Sequence, residues 1–116
     1  MKSDFADIQE RIRQFRDERD WMQFHSPKNL ACSISIESAE LLEHFQWTHP
    51  VENDQVVRDK KEAIAHEIAD IMVYTLELAD NLGIDAKAAI LAKLELNAQK
   101  YPVAKARGSI KKYTEL

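Results

Sequence analysis

Four helices in a single all-α domain are predicted for this chain by three observations. Only two glycines and three prolines interrupt its 116 residues. Apolar residues recur at the three- and four-residue spacing of a helix face. Helix start and stop signals fall between these apolar stretches, and the length suits one domain with no room for a separate substrate domain.

The first helix is expected from about Asp4 to Phe24, with Phe5, Ile8, Ile12 and Phe15 at helical spacing. Ser26-Pro27 is a start signal: Ser as N-cap, Pro at the first helical position, where its missing N–H costs nothing. It opens a second helix that should run from Pro27 to about Trp47, where Thr48-His49-Pro50 breaks it. A charged loop follows, with a short helical turn near Glu52 to Val56. The third helix, from about Arg58 to Leu82, should end at Gly83 in the left-handed conformation. Asp85 caps a fourth helix that reaches about Lys100, before Tyr101-Pro102. Residues 1–102 then form the domain. The polar, cationic tail 103–116 should be loosely ordered unless a partner chain holds it.

Charge and composition exclude several functions. A net charge of −4 provides no basic footprint for duplex nucleic acid, so no nucleic-acid partner is expected. No stretch reaches the ~18 apolar residues of a membrane span, and Met-Lys-Ser-Asp-Phe is no secretory signal. A single cysteine, Cys32, excludes an intrachain disulfide and reads as packing. The expected setting is soluble, reducing and cytoplasmic, without a membrane partner.

Four carboxylates carry the chemistry: Glu37-x-x-Glu40 and Glu67-x-x-Asp70. At about 100° per residue, Leu30, Ile34, Leu41, Leu42 and Phe45 form one stripe. Glu37 lies roughly 70° and Glu40 roughly 130° from its centre. Ile64, Ile68, Ile71, Met72, Leu78 and Leu82 form the second stripe, with Glu67 and Asp70 at matching offsets. If the stripes pack together, four acids converge at the edge of a core. Unpaired carboxylates there require compensating cations, and oxygen-only ligands favour hard ions, Mg²⁺ first and Mn²⁺ as substitute. A ferritin-like di-iron site would need Glu-x-x-His, and a zinc protease would need His at the position of Asp70. Both are disfavoured.

Between Ile68 and Ala79 the only charged residues are Asp70 and Glu77, and Val73 and Leu76 lie away from the main stripe. A helix this apolar all round needs cover on two sides, more than a domain this small supplies. A homodimer or homotetramer is therefore expected, with a site that takes residues from more than one chain.

These residues support a resemblance. Glu37-x-x-Glu40 followed by Glu67-x-x-Asp70 resembles the signature of the all-α nucleotide pyrophosphohydrolases, the MazG-like superfamily. Four further segments are similar to its dCTP pyrophosphatase branch. They are Arg19-Asp20-Trp21-x-Gln23-Phe24-His25-x-Pro27-x-Asn29-Leu30, Phe45-Gln46-Trp47, Lys93-x-x-x-Asn97-x-x-Lys100-Tyr101-Pro102, and Arg107-Gly108-Ser109-x-x-Lys112-Tyr113-Thr114-Glu115. The chain departs at Ile36, where the superfamily often has another Glu, and at Ile12, where the branch carries a base-contacting His.

The resemblance implies a four-helix MazG-like bundle assembled as a homo-oligomer. It implies Mg²⁺-dependent hydrolysis of a nucleoside triphosphate, dCTP or modified dCTP, to the monophosphate and pyrophosphate. Glu37, Glu40, Glu67 and Asp70 would be metal ligands, with Glu37 and Glu40 catalytic and Glu40 orienting the water. Trp21 and Trp47 would stack on the base, and His25 and Asn29 line its pocket. Tyr74 would pack on the sugar. Lys93 would reach phosphate and Asn97 sugar or base, with Lys100 and Tyr101 supporting. His44, His49 and His66 read as surface or structural. The alternatives are the same reaction on another base, such as dUTP, and a non-catalytic helical module that oligomerises or holds a structural metal.

Overall fold

A computed structural model describes residues 4–116, and its regular structure is helical throughout, with no strand among the described residues. Helix α1 spans Ala6–Glu18, α2 Pro27–Glu43, α3 Asn53–Asn81 and α4 Ala86–Lys100, followed by the single turn α5, Val103–Ala106. Short 3₁₀ turns lie at Met22–Phe24, Pro50–Glu52 and Tyr113–Glu115. No helix among the described residues is long and apolar enough to cross a membrane.

The caps follow from local side-chain chemistry. Ser26 Oγ accepts from the Asn29 amide at 3.2 Å to start α2, and Asp85 Oδ1 accepts from Ala88 at 3.0 Å to start α4. At the end of α3, Gly83 takes φ +68°, Ile84 N–H donates to Ala79 C=O at 2.8 Å and Gly83 N–H to Asp80 C=O at 3.1 Å. This pair of bonds closes the helix as a Schellman motif.

Helix α1 ends in the same way and earlier than the apolar spacing predicts. Asp20 stands at φ +53°, with Trp21 N–H on Arg16 C=O and Asp20 N–H on Asp17 C=O, both at 3.1 Å. Aspartate tolerates the left-handed region better than most residues, so it does here what glycine does at position 83. The chain turns sharply and delivers Trp21 and His25 back towards α3. Helix α2 stops at Glu43 rather than Trp47, and α3 begins at Asn53, its first turns joined across a non-helical Lys60.

Contacts between His25 and Glu77, Glu37 and Asp70, and His44 and Glu67 show positions rising in one segment as they fall in the other, so α2 runs antiparallel to α3. Leu30, 1% exposed, and Ile64 anchor this hairpin. Helix α1 closes the opposite end by burying Ile12 against the C-terminal half of α3, where Gln9 Nε2 donates to Leu76 C=O at 3.0 Å. Leu76 is therefore buried, although it lies off the main stripe. Within that stripe Ile68, Met72 and Leu82 are exposed instead, as is Leu42 in the stripe of α2.

A single chain leaves much apolar surface uncovered. Helix α4 meets α3 mainly near their shared turn, and Ile90, Leu91, Leu94 and Leu96 remain about half exposed. The radius of gyration is 17.7 Å, against about 13 Å for a compact domain of this length. The tail carries α5 and a last 3₁₀ turn, with Tyr113 edge-on to Tyr101 at 5.9 Å and beneath Lys100 Nζ at 5.0 Å.

Candidate metal centre and adjoining cavity

Where α2 and α3 pair, carboxylate oxygens of Glu37, Glu67 and Asp70 all lie within 4.8 Å of one another. Glu40, one turn along α2, lies within hydrogen-bonding reach of Glu37 and Glu67 but falls outside that closest set. The electrostatics record the crowding. Burial, aided by a proton shared with Glu40 and by repulsion from Glu40, Asp70 and Glu67, pushes Glu37 up to about 7. Glu67 is raised by burial first, then by Glu40 and Asp70. His44 Nε2 stands 4.0 Å from Glu67 Oε1.

Two oxygens give the test of metal fit. Glu37 Oε2 and Glu67 Oε2 are both buried without a hydrogen-bond partner. Buried carboxylate oxygens left so are costly. An all-oxygen donor set with such atoms turned inward matches a hard divalent cation, and the residues present fit one.

A cavity of about 470 Å³ opens beside this cluster, lined by Ile8, Arg11, Ile12, Phe15, Arg16, Trp21, His25, Asp70, Val73, Tyr74 and Glu77. Asp70 belongs to both the carboxylate set and the cavity wall. Trp21 packs edge-on to Phe15 at 5.8 Å and lies 6.2 Å from the His25 ring, so an aromatic wall faces α3. The Tyr74 hydroxyl is raised above its ordinary value by burial first and then by the charges of Glu37 and Asp70. This is a volume suited to a small organic group, with a polar end at Asp70.

The sequence-predicted residues divide into two groups. Glu37, Glu67, Asp70, Trp21, His25 and Tyr74 converge on the cluster and cavity, with Glu40 beside them. The others do not line this chain's cavity. Asn29 Nδ2 donates to Phe24 C=O at 2.9 Å, bracing the turn that carries His25. Trp47 is 89% exposed beyond the end of α2. Lys93, Asn97, Lys100 and Tyr101 project from α4 and its end, outside the cavity wall.

Two residues that the sequence analysis gave no role stand at the cavity floor. Glu77 is 3% exposed, and His25 Nδ1 lies 2.7 and 3.0 Å from its two carboxylate oxygens. Arg16, also buried, places Nη1 3.9 Å from Glu77 and 3.0 Å from Asn81 Oδ1. Its hydrogen bond to Asp17, then the charges of Asp17, Glu77 and Asp80, raise Arg16 against the lowering effect of burial. The signal for Glu77 was its spacing: Asp70, Tyr74 and Glu77 fall at i, i+4 and i+7 on one face of α3.

A helical hairpin that gathers acidic residues around an orphaned oxygen pair, with an aromatic cavity alongside, defines an all-α domain whose acid cluster could bind a metal ion beside a space for a small organic group. The comparisons with known proteins specify it further. Residues 32–116 match the MazG-like family model, and the chain belongs to the MazG-like family. It is 39% identical over 112 residues to dCTP pyrophosphatase 1 of Rattus norvegicus and 38% identical to that of Homo sapiens, covering 95% of this chain in each case. The chain spans 66% of the length of these curated relatives. Among solved structures it is similar to a pyrophosphatase from Archaeoglobus fulgidus DSM 4304, with a TM-score of 0.83 and 44% identity, covering 88% of this chain and 95% of that one.

Proposed function

We propose that this chain is a Mg²⁺-dependent nucleoside triphosphate pyrophosphohydrolase that converts dCTP or a modified dCTP to the monophosphate and pyrophosphate, in the cytoplasm, as nucleotide-pool house-cleaning. The observation that carries the reading is Asp70, which joins the carboxylate cluster to the aromatic cavity. Similarity to dCTP pyrophosphatase 1 supports the base.

Glu37, Glu67 and Asp70, with Glu40, would hold the cation, Mn²⁺ serving as a substitute. When bound, it supplies charge neutralisation for the triphosphate and activation of water. Glu40 Oε, at the border of the set, takes the proton from the attacking water. Asp70, at the cavity mouth, would hold the cation on the side where the α-phosphate end of the substrate approaches. Trp21 and Tyr74 close on base and sugar and exclude water.

The site is completed by a second copy of the chain. Exposed Trp47 favours stacking on a base across an interface. The α4 positions favour the same arrangement: Lys93 reaching phosphate, Asn97 sugar or base, and Lys100 with Tyr101 in support. Asn29 supports the His25 turn, and residues 103–116 form a tail outside the domain.

Pyrophosphate release from a panel of NTPs, dNTPs and 5-modified dCTPs with Mg²⁺ tests this. Selective release from the dCTP group, abolished in Glu37→Gln, is expected. Absence of release with either Mg²⁺ or Mn²⁺ would refute the catalytic reading.

A further inference from the structure

The cavity floor is held by charge where apolar packing would suffice. Buried ion pairs rarely add net stability over apolar packing of the same volume, so such a group is of interest for what it positions. Here three elements meet: Arg16 from α1, His25 from the turn before α2, and Glu77 with Asn81 from α3.

A carboxylate oxygen accepts hydrogen bonds, so the 2.7 Å approach of a ring nitrogen to Glu77 Oε2 favours the tautomer that carries its proton there. That nitrogen is Nδ1. Arg16 provides Glu77 with a fixed counter-charge at 3.9 Å. Asn81 sits between them, its Oδ1 accepting from Arg16 at 3.0 Å and its Nδ2 directed at Glu77 Oε2 at 3.5 Å. In a neutral ring with the proton on Nδ1, Nε2 is an acceptor. His25 lines the cavity, and Nε2 has no hydrogen-bond partner among the described residues.

We propose that Glu77, backed by Arg16 and Asn81, is a positioning residue that fixes the Nδ1–H tautomer of His25, so that Nε2 accepts from an exocyclic amine of the base and discriminates against a carbonyl at that place. This rests on the reading that the cavity receives the base. A 4-amino pyrimidine donates to Nε2. A 4-oxo pyrimidine sets lone pair against lone pair and leaves two buried acceptors unpaired, a loss on the order of ten- to a hundredfold in kcat/KM. The same acceptor leaves the 5-position of the ring unconstrained, in keeping with modified dCTP as substrate.

The first test does not depend on turnover. The full-length protein, with ¹⁵N-labelled histidine and His25 assigned through His25→Gln, is examined by long-range ¹H–¹⁵N correlation at alkaline pH, where imidazole is neutral. The Nδ1–H pattern is expected. An Nε2–H ring, or one still protonated on both nitrogens, would overturn the proposal, and this wild-type spectrum decides even if a variant fails to fold. The second test is the ratio of kcat/KM for dCTP over dUTP in Glu77→Met, with helicity checked by circular dichroism. The ratio should fall by about tenfold or more, chiefly through dCTP, while the spectrum shifts to an Nε2–H or mixed ring. Equal losses on both substrates would mark a purely structural role and refute the specificity claim. If no nucleotide is turned over, the proposed function fails while the tautomer assignment is still judged by its own spectrum.

Discussion

Replacing Ile90 by glutamate should dissociate the proposed homo-oligomer, and the surface of the single chain sets the scale. The protein exposes 9103 Å², whereas a compact 13.4 kDa chain exposes about 6,500 Å². The excess is roughly 2,600 Å² per copy. Covering half of it would bury about 1,300 Å² on each partner, well inside the range of stable interfaces. Ile90 is 49% exposed and lines an apolar hollow of about 420 Å³ with Phe5, Ile71, Met72, Leu76 and Ile84. A carboxylate there is left buried and unpaired in the assembly at about 3 to 5 kcal/mol. A two-fold interface counts it twice. Dissociation should therefore be favoured by about 10⁴-fold or more. Sedimentation velocity across micromolar concentrations, with circular dichroism for helicity, measures this. Under the proposed arrangement, in which α4 of one copy serves the other, activity should fall with the assembly. A wild-type protein that sediments as a helical, cooperatively melting monomer at 100 micromolar, on the order of the concentrations at which weak dimers form, would refute the reasoning.

Three further outcomes are expected. Glu37→Gln and Asp70→Asn should each lower pyrophosphate release by at least about 100-fold and reduce the rise in melting temperature given by Mg²⁺, with helicity retained; loss of helicity in either would instead favour a structural role. In metal-free protein, Glu37 is raised from the ordinary 4.5 to about 7, so the folded state binds more protons than the unfolded one. Its contribution is fully present below pH 4.5 and lost as pH rises through about 7. Denaturant midpoints across that window should fall without Mg²⁺ and level or rise with it; flat metal-free midpoints would contradict the crowding. Gly83→Ala should destabilise by about 1 kcal/mol: a Cβ there meets nothing within 4 Å, so the cost is the strain of φ +68° alone. An unchanged thermal midpoint would speak against a fixed left-handed turn.

What the sequence made legible was chemistry confined to a few neighbouring residues. Ser26 before Pro27, Asp85 before α4 and Gly83 after α3 each act on backbone groups within four positions, and each does so in the structure. The acid pairs were legible because helical spacing sets Glu67 and Asp70 on one side of α3, where the pairing of α2 with α3 brings Glu37 to them. The turn at Asp20 was hidden, because aspartate rarely takes the glycine role and apolar spacing runs on past it. The exposure of Leu42, Ile68 and Met72 was hidden for another reason: a periodic stripe says which side of a helix is apolar, but not how much of it one chain covers. Glu77 was passed over because an acid amid apolar residues looks solvated until its partners, Arg16 and His25, more than fifty positions away in sequence, are brought to it.

One face of α3 carries the consequences together. Asp70 serves the carboxylate cluster, Tyr74 walls the cavity and Glu77 holds His25. From Asp70 to Glu77 the helix rises about 10 Å, so one rigid element sets the spacing between the carboxylate cluster and the cavity floor. The non-helical residue Lys60 lies ten positions before Asp70, and the helix is regular from there to its cap at Gly83. Inserting one residue into α3 between Asp70 and Glu77, which rotates the face by about 100°, should change the dCTP-over-dUTP ratio of kcat/KM as well as turnover, whereas an insertion before Lys60 should leave both intact.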